Sequence, residues 1–248
     1  MAGREELSTS FGAQAGAYES GRPDYPPAAV AWLLEPVAGN GPPDVVDVGA
    51  GTGKLARVAV AIGAHVTAVD PDDAMLEALR SAVPGVPTHV GTAENLPLDD
   101  ASRDAVILGQ AWHWVDPVVG SREIARVLRP GGVLGLIWNI RDERTPWVRR
   151  LTEIMRASRA ETALADGDPT VGEPFGPLAQ RQWSWVRRMT RTRLLDMARS
   201  RSYVITAPDA ERTRIERGLQ DLLDEVGAVG DATVELPYLT RAYRALRP

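Results

Sequence analysis

One stretch limits this 248-residue chain more than any other: Val45-Val46-Asp47-Val48-Gly49-Ala50-Gly51-Thr52-Gly53-Lys54. An apolar run ends in three alternating glycines, and an apolar-periodic segment begins at once. A strand that enters a glycine turn and leaves as a helix has the geometry of a nucleotide-type site. Without a Cβ, glycine lets the backbone turn tightly and lie close to a ligand. Spacing then tests the candidate ligands. A phosphate loop needs Gly, four residues, then Gly-Lys-Ser/Thr. Here Leu55 follows Gly53-Lys54 and Val48 stands five before Gly53, so that reading fails at both ends. A dinucleotide fingerprint needs G-x-G-x-x-G. Glycines at 49, 51 and 53 bring the third one residue early, and position 54 is Lys, which disfavours a nicotinamide-dependent oxidoreductase.

The surrounding pattern supplies the fold class. Strands are predicted at 44–48, 65–69, 88–90, 104–108 and 133–138, with helices at 27–38, 55–62, 72–83 and 117–128. Arg129-Pro130-Gly131-Gly132 should stop the last of these helices. Alternation of strand and helix, with strands reading as continuous apolar runs, predicts an α/β fold with a mostly parallel sheet covered on both faces. After residue 139 the rhythm changes. Residues 145–163 look helical and 165–176 read as a loop. Residues 182–189 fit a strand, 192–200 and 208–226 fit helices, and 233–243 fits a last strand whose middle Pro237 weakens.

Composition excludes several functions. The chain has no cysteine, so disulfides, thiolate metal sites and a cysteine nucleophile are out, and no metal is expected. A net charge of −5 gives no global basic field for nucleic acid. No uncharged apolar run approaches the length of a membrane span, and the first residues lack the apolar core of a secretory signal, so the expected location is cytoplasmic. Arginines 187, 188, 191, 193, 199 and 201 form a basic tract. It reads either as a capture surface for an anionic substrate or as a solvated helix face. Oligomeric state is not legible.

Five segments in order resemble those of class I S-adenosylmethionine-dependent methyltransferases. Asp47-Val48-Gly49-Ala50-Gly51-Thr52-Gly53 is similar to the first. Val69-Asp70-Pro71 is similar to the acid that ends the second strand, and Gly91-Thr92-Ala93-Glu94-Asn95-Leu96-Pro97 to the adenine-side loop. Ile107 to Trp114 resembles the segment after the fourth strand, and Arg126 to Leu134 the passage into the fifth. Tyr18-Glu19-Ser20-Gly21-Arg22-Pro23-Asp24-Tyr25-Pro26 resembles the lid of small-molecule members, most nearly the ubiquinone/menaquinone and trans-aconitate branch. The resemblance implies a Rossmann-like class I fold: a mostly parallel seven-stranded sheet with helices on both faces and a helical cover. It implies one methyltransferase domain over 1–248, with a lid and helix at 1–43, a cofactor half at 44–139 and a substrate-cover half at 140–248.

It also implies S-adenosylmethionine as cofactor, a small-molecule methyl acceptor, and no nucleic-acid or membrane partner; O-methylation is slightly favoured. Gly49, Gly51 and Gly53, with Ala50 and Thr52 between them, would pass the methionine end, and Asp47 would lie near its amino group. Asp70 would accept from the ribose hydroxyls. Pro71 or Met75 would pack beside the adenine, with Ala93 offering its backbone N–H. Thr92 stands where relatives often carry an acid, so its hydroxyl or a redirected Glu94 would serve the adenine amino group. Gln110, Ala111, Trp112 and His113 would border the transfer site. His113 is either a general base or acceptor-orienting group, or a polar residue between two packed tryptophans. Tyr18, Arg22, Trp112 and Tyr203 are the candidate acceptor contacts. A cofactor-binding domain without catalysis is the main rival.

Overall fold

The computed structural model of the chain describes residues 22–39, 41–199, 204 and 207–248. Tyr18, Tyr203 and Arg201 fall outside them. Seven strands form one sheet in the order β3-β2-β1-β4-β5-β7-β6. They are β1 (Asp44–Val48), β2 (His65–Asp70), β3 (Thr88–Val90), β4 (Arg103–Gly109), β5 (Leu128–Arg141), β6 (Ala179–Thr190) and β7 (Thr233–Leu246). β1 to β5 pair in parallel, and β7 is antiparallel to both β5 and β6.

Period-two alternation assigns the two faces. Val45, Ala105, Ile107, Val133 and Ile137 pack with α1 (Pro27–Leu34) and α2 (Lys54–Ala61). Val46, Val106, Leu108, Leu134, Leu136 and Trp138 turn the other way, toward α4 (Pro117–Val127) and α6 (Arg159–Ala165). α3 (Asp73–Ala82) lays Leu76 and Leu79 over Ala68 of β2. A third cluster lies over the upper ends of β6 and β7. There α5 (Pro146–Met155), α7 (Arg191–Arg199) and α8 (Asp209–Glu225) bury Leu151, Met155, Leu194, Met197, Ile215 and Leu222.

Several boundaries differ from the sequence reading for identifiable reasons. The first helix ends at Leu34 and tightens into a 3-10 turn over Glu35–Val37, since Pro36 lacks an amide hydrogen. Residues 145–163 are two helices. Arg156 takes a φ of +56°, and a new capping box starts at Ser158, whose hydroxyl accepts from the Glu161 amide. β5 already begins at Leu128; Gly131, at φ +78°, absorbs a register shift opposite Arg103 and Ala105. Pro237 sits inside β7, yet pairing with β5 ends at Tyr238. Its missing amide hydrogen therefore falls beyond the β5 ladder, and its carbonyl accepts from Asp142 N–H at 3.0 Å.

Candidate active site

Sheet order reverses between β1 and β4, so the loops leaving their upper ends diverge and open a crevice. The glycine turn forms its floor. Gly49, Gly51 and Gly53 have φ of +67°, +53° and +86°. A Cβ on Gly49 would stand 2.7 Å from the Ala111 Cβ, and one on Gly53 would stand 2.7 Å from Leu79 Cγ. Gly51 has open space instead, so its backbone faces the crevice bare. The turn is tied to β2: Gly49 and Ala50 N–H donate to the Val69 carbonyl at 2.8 and 3.2 Å.

Two acids lie under the turn. Asp70 accepts from Gly51 N–H at 2.8 Å and from Asp72 N–H at 2.9 Å. Burial raises its pKa against the pull of those two amides. Asp47 is 1% exposed, and neither carboxylate oxygen has a hydrogen-bond partner among the described residues. Burial pushes its pKa up to about 7; the Ala56 amide lies near enough to oppose this without a well-formed hydrogen bond, and the Asp70 carboxylate adds to the rise. A buried carboxylate without a donor costs free energy unless something supplies one.

The opposite wall comes from the end of β4. Gln110 has a φ of +58°, a left-handed conformation that a non-glycine residue adopts at a cost of about 1 kcal/mol or more. Two bonds hold it there: its N–H donates to the Ile137 carbonyl at 2.9 Å and its Nε2 to the Asn139 carbonyl at 2.7 Å. Its Oε1 is buried without a partner among the described residues. Asn139 carries the network outward. Its Nδ2 donates to the Asp24 carbonyl at 3.1 Å, and its Oδ1 accepts from Thr240, which in turn accepts from the Trp185 indole.

These parts surround one cavity, lined below by Asp47, residues 49–52, Lys54 and Leu55 and on the far side by Gly109, Gln110 and Asn139. Arg22, Pro23 and Tyr25 close it from above. Gly109 permits that closure, since a Cβ there would meet the Tyr25 hydroxyl at 2.6 Å. Asp24 pins the segment to α2 through Lys54 at 3.3 Å and Arg57 at 2.6 Å. Partial burial opposes its ionisation, but those two cations hold its pKa below the usual value. The space thus presents partnerless acceptors (Asp47, Gln110 Oε1) beneath a bare backbone turn, and suits a ligand with cationic donors.

Of the site residues expected from the sequence, Asp47, Gly49, Ala50, Gly51, Thr52, Gln110 and Arg22 meet at this cavity. Gly53 and Ala111 shape it from behind. Pro71, Met75, Thr92 and Ala93 fall outside its lining, beside β2, α3 and β3, with Met75 and Ala93 buried. The Glu94 carboxylate lies outside the lining as well and accepts through Oε1 from Asp116 N–H at 2.9 Å, at the start of α4. Trp112 is a further correction. Residues 112–114 form a 3-10 turn. Trp112 is 5% exposed in the core, its indole donating to the Thr170 carbonyl at 2.9 Å, and it does not line the cavity.

His113 is half-buried and outside the cavity's lining. Its Nδ1 is buried without a partner among the described residues, and its ring tilts against Trp114 at 5.3 Å. Burial, with Arg159 and Arg22 nearby, lowers its pKa to about 4, so the imidazole is neutral at pH 7. Tyr25, Lys54, Leu55, Gly109 and Asn139 were missed by sequence reasoning. Lys54, the only lysine in the chain, and Tyr25, inside a proline-stiffened segment, carried a signal; Asn139 did not.

Comparison with known proteins decides the family. The methyltransferase-domain family matches residues 46–136. Along nearly the whole chain, the protein is 47% identical to an uncharacterized methyltransferase of Mycobacterium tuberculosis, covering 98% of this chain and 97% of that one. The chain belongs to the class I S-adenosylmethionine-dependent methyltransferases. The solved structure of an Anaeromyxobacter dehalogenans protein named as a type II methyltransferase matches this methyltransferase with a TM-score of 0.65 at 25% identity, over 91% of this chain and 98% of that one. A demethylmenaquinone methyltransferase of Clavibacter sepedonicus is 38% identical over 121 residues, 47% of this chain and 48% of that one. The likeness to the quinone branch therefore spans about half of the chain. Among the described residues of the methyltransferase, no helix is long and apolar enough to cross a membrane.

Proposed function

We propose that this methyltransferase acts on a small-molecule acceptor at an oxygen that is already ionised, such as a carboxylate. The observation that carries the cofactor's placement is the buried, donor-less Asp47 carboxylate beneath the left-handed Gly49–Gly51 turn. When bound, S-adenosylmethionine supplies a methyl group already activated on a sulfonium. Asp47 accepts from its ammonium, which supplies the missing donor and returns the carboxyl to its ionised form. Gly49, Ala50, Gly51, Thr52 and Gly53 carry the backbone past the methionine end. Asp70 keeps its amide bonds and offers its remaining lone pairs to the ribose diol. Pro71 and Met75 flank the adenine, with Ala93 N–H and the Thr92 hydroxyl at its edge. Gln110 and Ala111 border the transferring methyl.

The protein's task is then to align the acceptor with the methyl and to exclude water. The Arg22–Tyr25 segment does the second by closing over the crevice. His113 holds the acceptor as a neutral hydrogen-bonding group. A base of pKa about 4 is far from the operating pH, so it cannot drive deprotonation of an alcohol; a carboxylate acceptor needs no such step. The same reading makes 44–139 the cofactor half and 140–248 the acceptor cover.

Calorimetric titration with S-adenosylhomocysteine and with NADH tests the assignment. Micromolar binding of the first and none of the second is expected. Folded protein that binds NADH and not S-adenosylhomocysteine would overturn it. A screen of small carboxylates for methyl-ester formation then separates a working enzyme from a domain that only binds its cofactor.

A further inference from the structure

Beside the cofactor cavity lies a second, wider groove. Among the described residues, Arg22, Lys54, Arg57, Arg187 and Arg193 line it, with Asp24 the one acid. Five cations against one anion among those residues is unusual on a chain whose net charge is −5. The cations come from four separate places: the 22–26 segment, α2, β6 and the start of α7. Trp185 supplies a rigid wall, its ring stacked on Tyr238 at 5.0 Å and its indole N–H held by Thr240 at 2.8 Å. Arg187 lies two residues further along the same face of β6.

The basic tract of the sequence divides here. Arg188 faces Glu235 at 3.6 Å, Arg191 bonds Asp224, and Arg199 bonds Glu216 at 3.0 Å. These are ion pairs of the cover. Arg187 and Arg193 line the groove. The groove shares Arg22, Pro23, Tyr25 and Lys54 with the cofactor cavity, whereas Arg57, Trp185, Arg187 and Arg193 belong to the groove alone. An anion held at that far end is therefore not the cofactor's own carboxylate.

We propose that this groove receives a multiply charged anionic head group, phosphate or polycarboxylate, on the methyl acceptor; the proposal rests on the methyltransferase reading of the adjoining cavity. Guanidinium groups match carboxylate and phosphate oxygens in paired geometry. A cleft of one charge sign also concentrates the oppositely charged ligand before it docks. Asp24, paired with Lys54 and Arg57, keeps these two cations beside the path between the two spaces.

The test uses pyrophosphate and citrate as separate probes, titrated calorimetrically at low salt into protein saturated with S-adenosylhomocysteine. Saturable binding of at least one is expected. Arg187→Ala/Arg193→Ala should weaken it tenfold or more, and Arg217→Ala, an exposed change on α8, less than twofold. The Arg187→Gln/Arg193→Gln pair repeats the measurement should the alanine pair misfold. Preference for pyrophosphate assigns a phosphorylated acceptor, and preference for citrate a polycarboxylate. Absence of binding, equal loss in Arg217→Ala, or an anion displaced by S-adenosylhomocysteine would overturn the groove. Failure of S-adenosylhomocysteine itself to bind would instead remove the methyltransferase reading, and the same anion titrations on the free protein would still judge the groove.

Discussion

Residues 44–139 and residues 140–248 of this protein are built by different means. In residues 44–139 the site is made mostly of main chain. Three glycines at positive φ, a glutamine forced to +58° and two strand-end acids leave little choice of residue. In residues 140–248 side-chain pairs tie the elements together: Arg141 with Glu161, Arg150 with Glu225, Arg191 with Asp224. Many sequences could supply such pairs. A main-chain site has few sequence solutions and a side-chain cover has many, so the two halves should fail differently when altered.

Gly49→Val should show the largest effect. It puts a β-branched residue at φ +67° with its Cβ 2.7 Å from that of Ala111. Strain and overpacking together cost about 3 kcal/mol or more. Affinity for S-adenosylhomocysteine should fall more than about 100-fold. A variant that binds within threefold of wild type would mean the turn is not the cofactor floor.

The matching change in the cover is Glu161→Ala. Glu161 pairs with Arg141, whose side chain is 1% exposed, at 2.9 and 3.0 Å, and also accepts from Ser158 N–H at 2.7 Å. Removing it strands a buried guanidinium and opens the capping box of α6, at a cost of about 3 kcal/mol. Denaturant unfolding should register that loss, whereas S-adenosylhomocysteine affinity should change less than threefold. Equal damage to both would erase the distinction between the halves.

This division also explains what could be read in advance. The mostly parallel sheet, its two covered faces and the residues Asp47, Gly49, Gly51 and Asp70 at the turn follow from patterns local to a few residues: apolar runs, glycine spacing, an acid at a strand end. Asn139 had no such signal. Its role depends on Thr240, about a hundred residues away, and on the Asp24 carbonyl, more than a hundred residues away in the other direction. Trp112, a candidate acceptor contact, lies in the core instead, its indole held by the Thr170 carbonyl 58 residues on, a partner with no local signal. The fold brings the Asp116 amide to Glu94 Oε1 across 22 residues, a contact with no local signal. That Arg187 and Arg193 share one groove with Arg22, Lys54 and Arg57 depends on how β6, α7 and the 22–26 segment come together, which no local pattern announces.

The pH response should be smaller but opposite in sign for folding and for binding. Asp47 has a folded pKa of about 7, raised by burial from an ordinary 3.8. Its contribution to the free protein's stability is full below about pH 4 and is lost as pH rises through 7. The cofactor's ammonium needs the ionised form. Affinity for S-adenosylhomocysteine should therefore be highest above pH 7 and weaken below it, approaching tenfold per unit. Asp47→Asn should flatten both slopes and raise the melting temperature of the free protein at pH 8. Parallel slopes in wild type and variant would place the titration on another group.

Asp70 and His113 give the finest separation, because the first bonds the glycine turn and the second does not. Asp70 accepts from Gly51 N–H, whereas His113 has Arg159 and Arg22 nearby. Asp70→Ala should weaken S-adenosylhomocysteine binding by about tenfold, through lost ribose contacts and a Gly51 amide left without its acceptor. Asp70→Asn, which keeps one acceptor oxygen, should recover part of that loss. His113→Ala should change cofactor affinity less than twofold, since the imidazole is neutral and outside the cavity lining. Its effect should fall on turnover, with a pH profile unchanged between 6 and 8, because a group that titrates near 4 is already deprotonated across that range. If His113→Ala instead removed an inflection near pH 6.5, the histidine would be acting as a base, and the preference for an already ionised acceptor would fall with it.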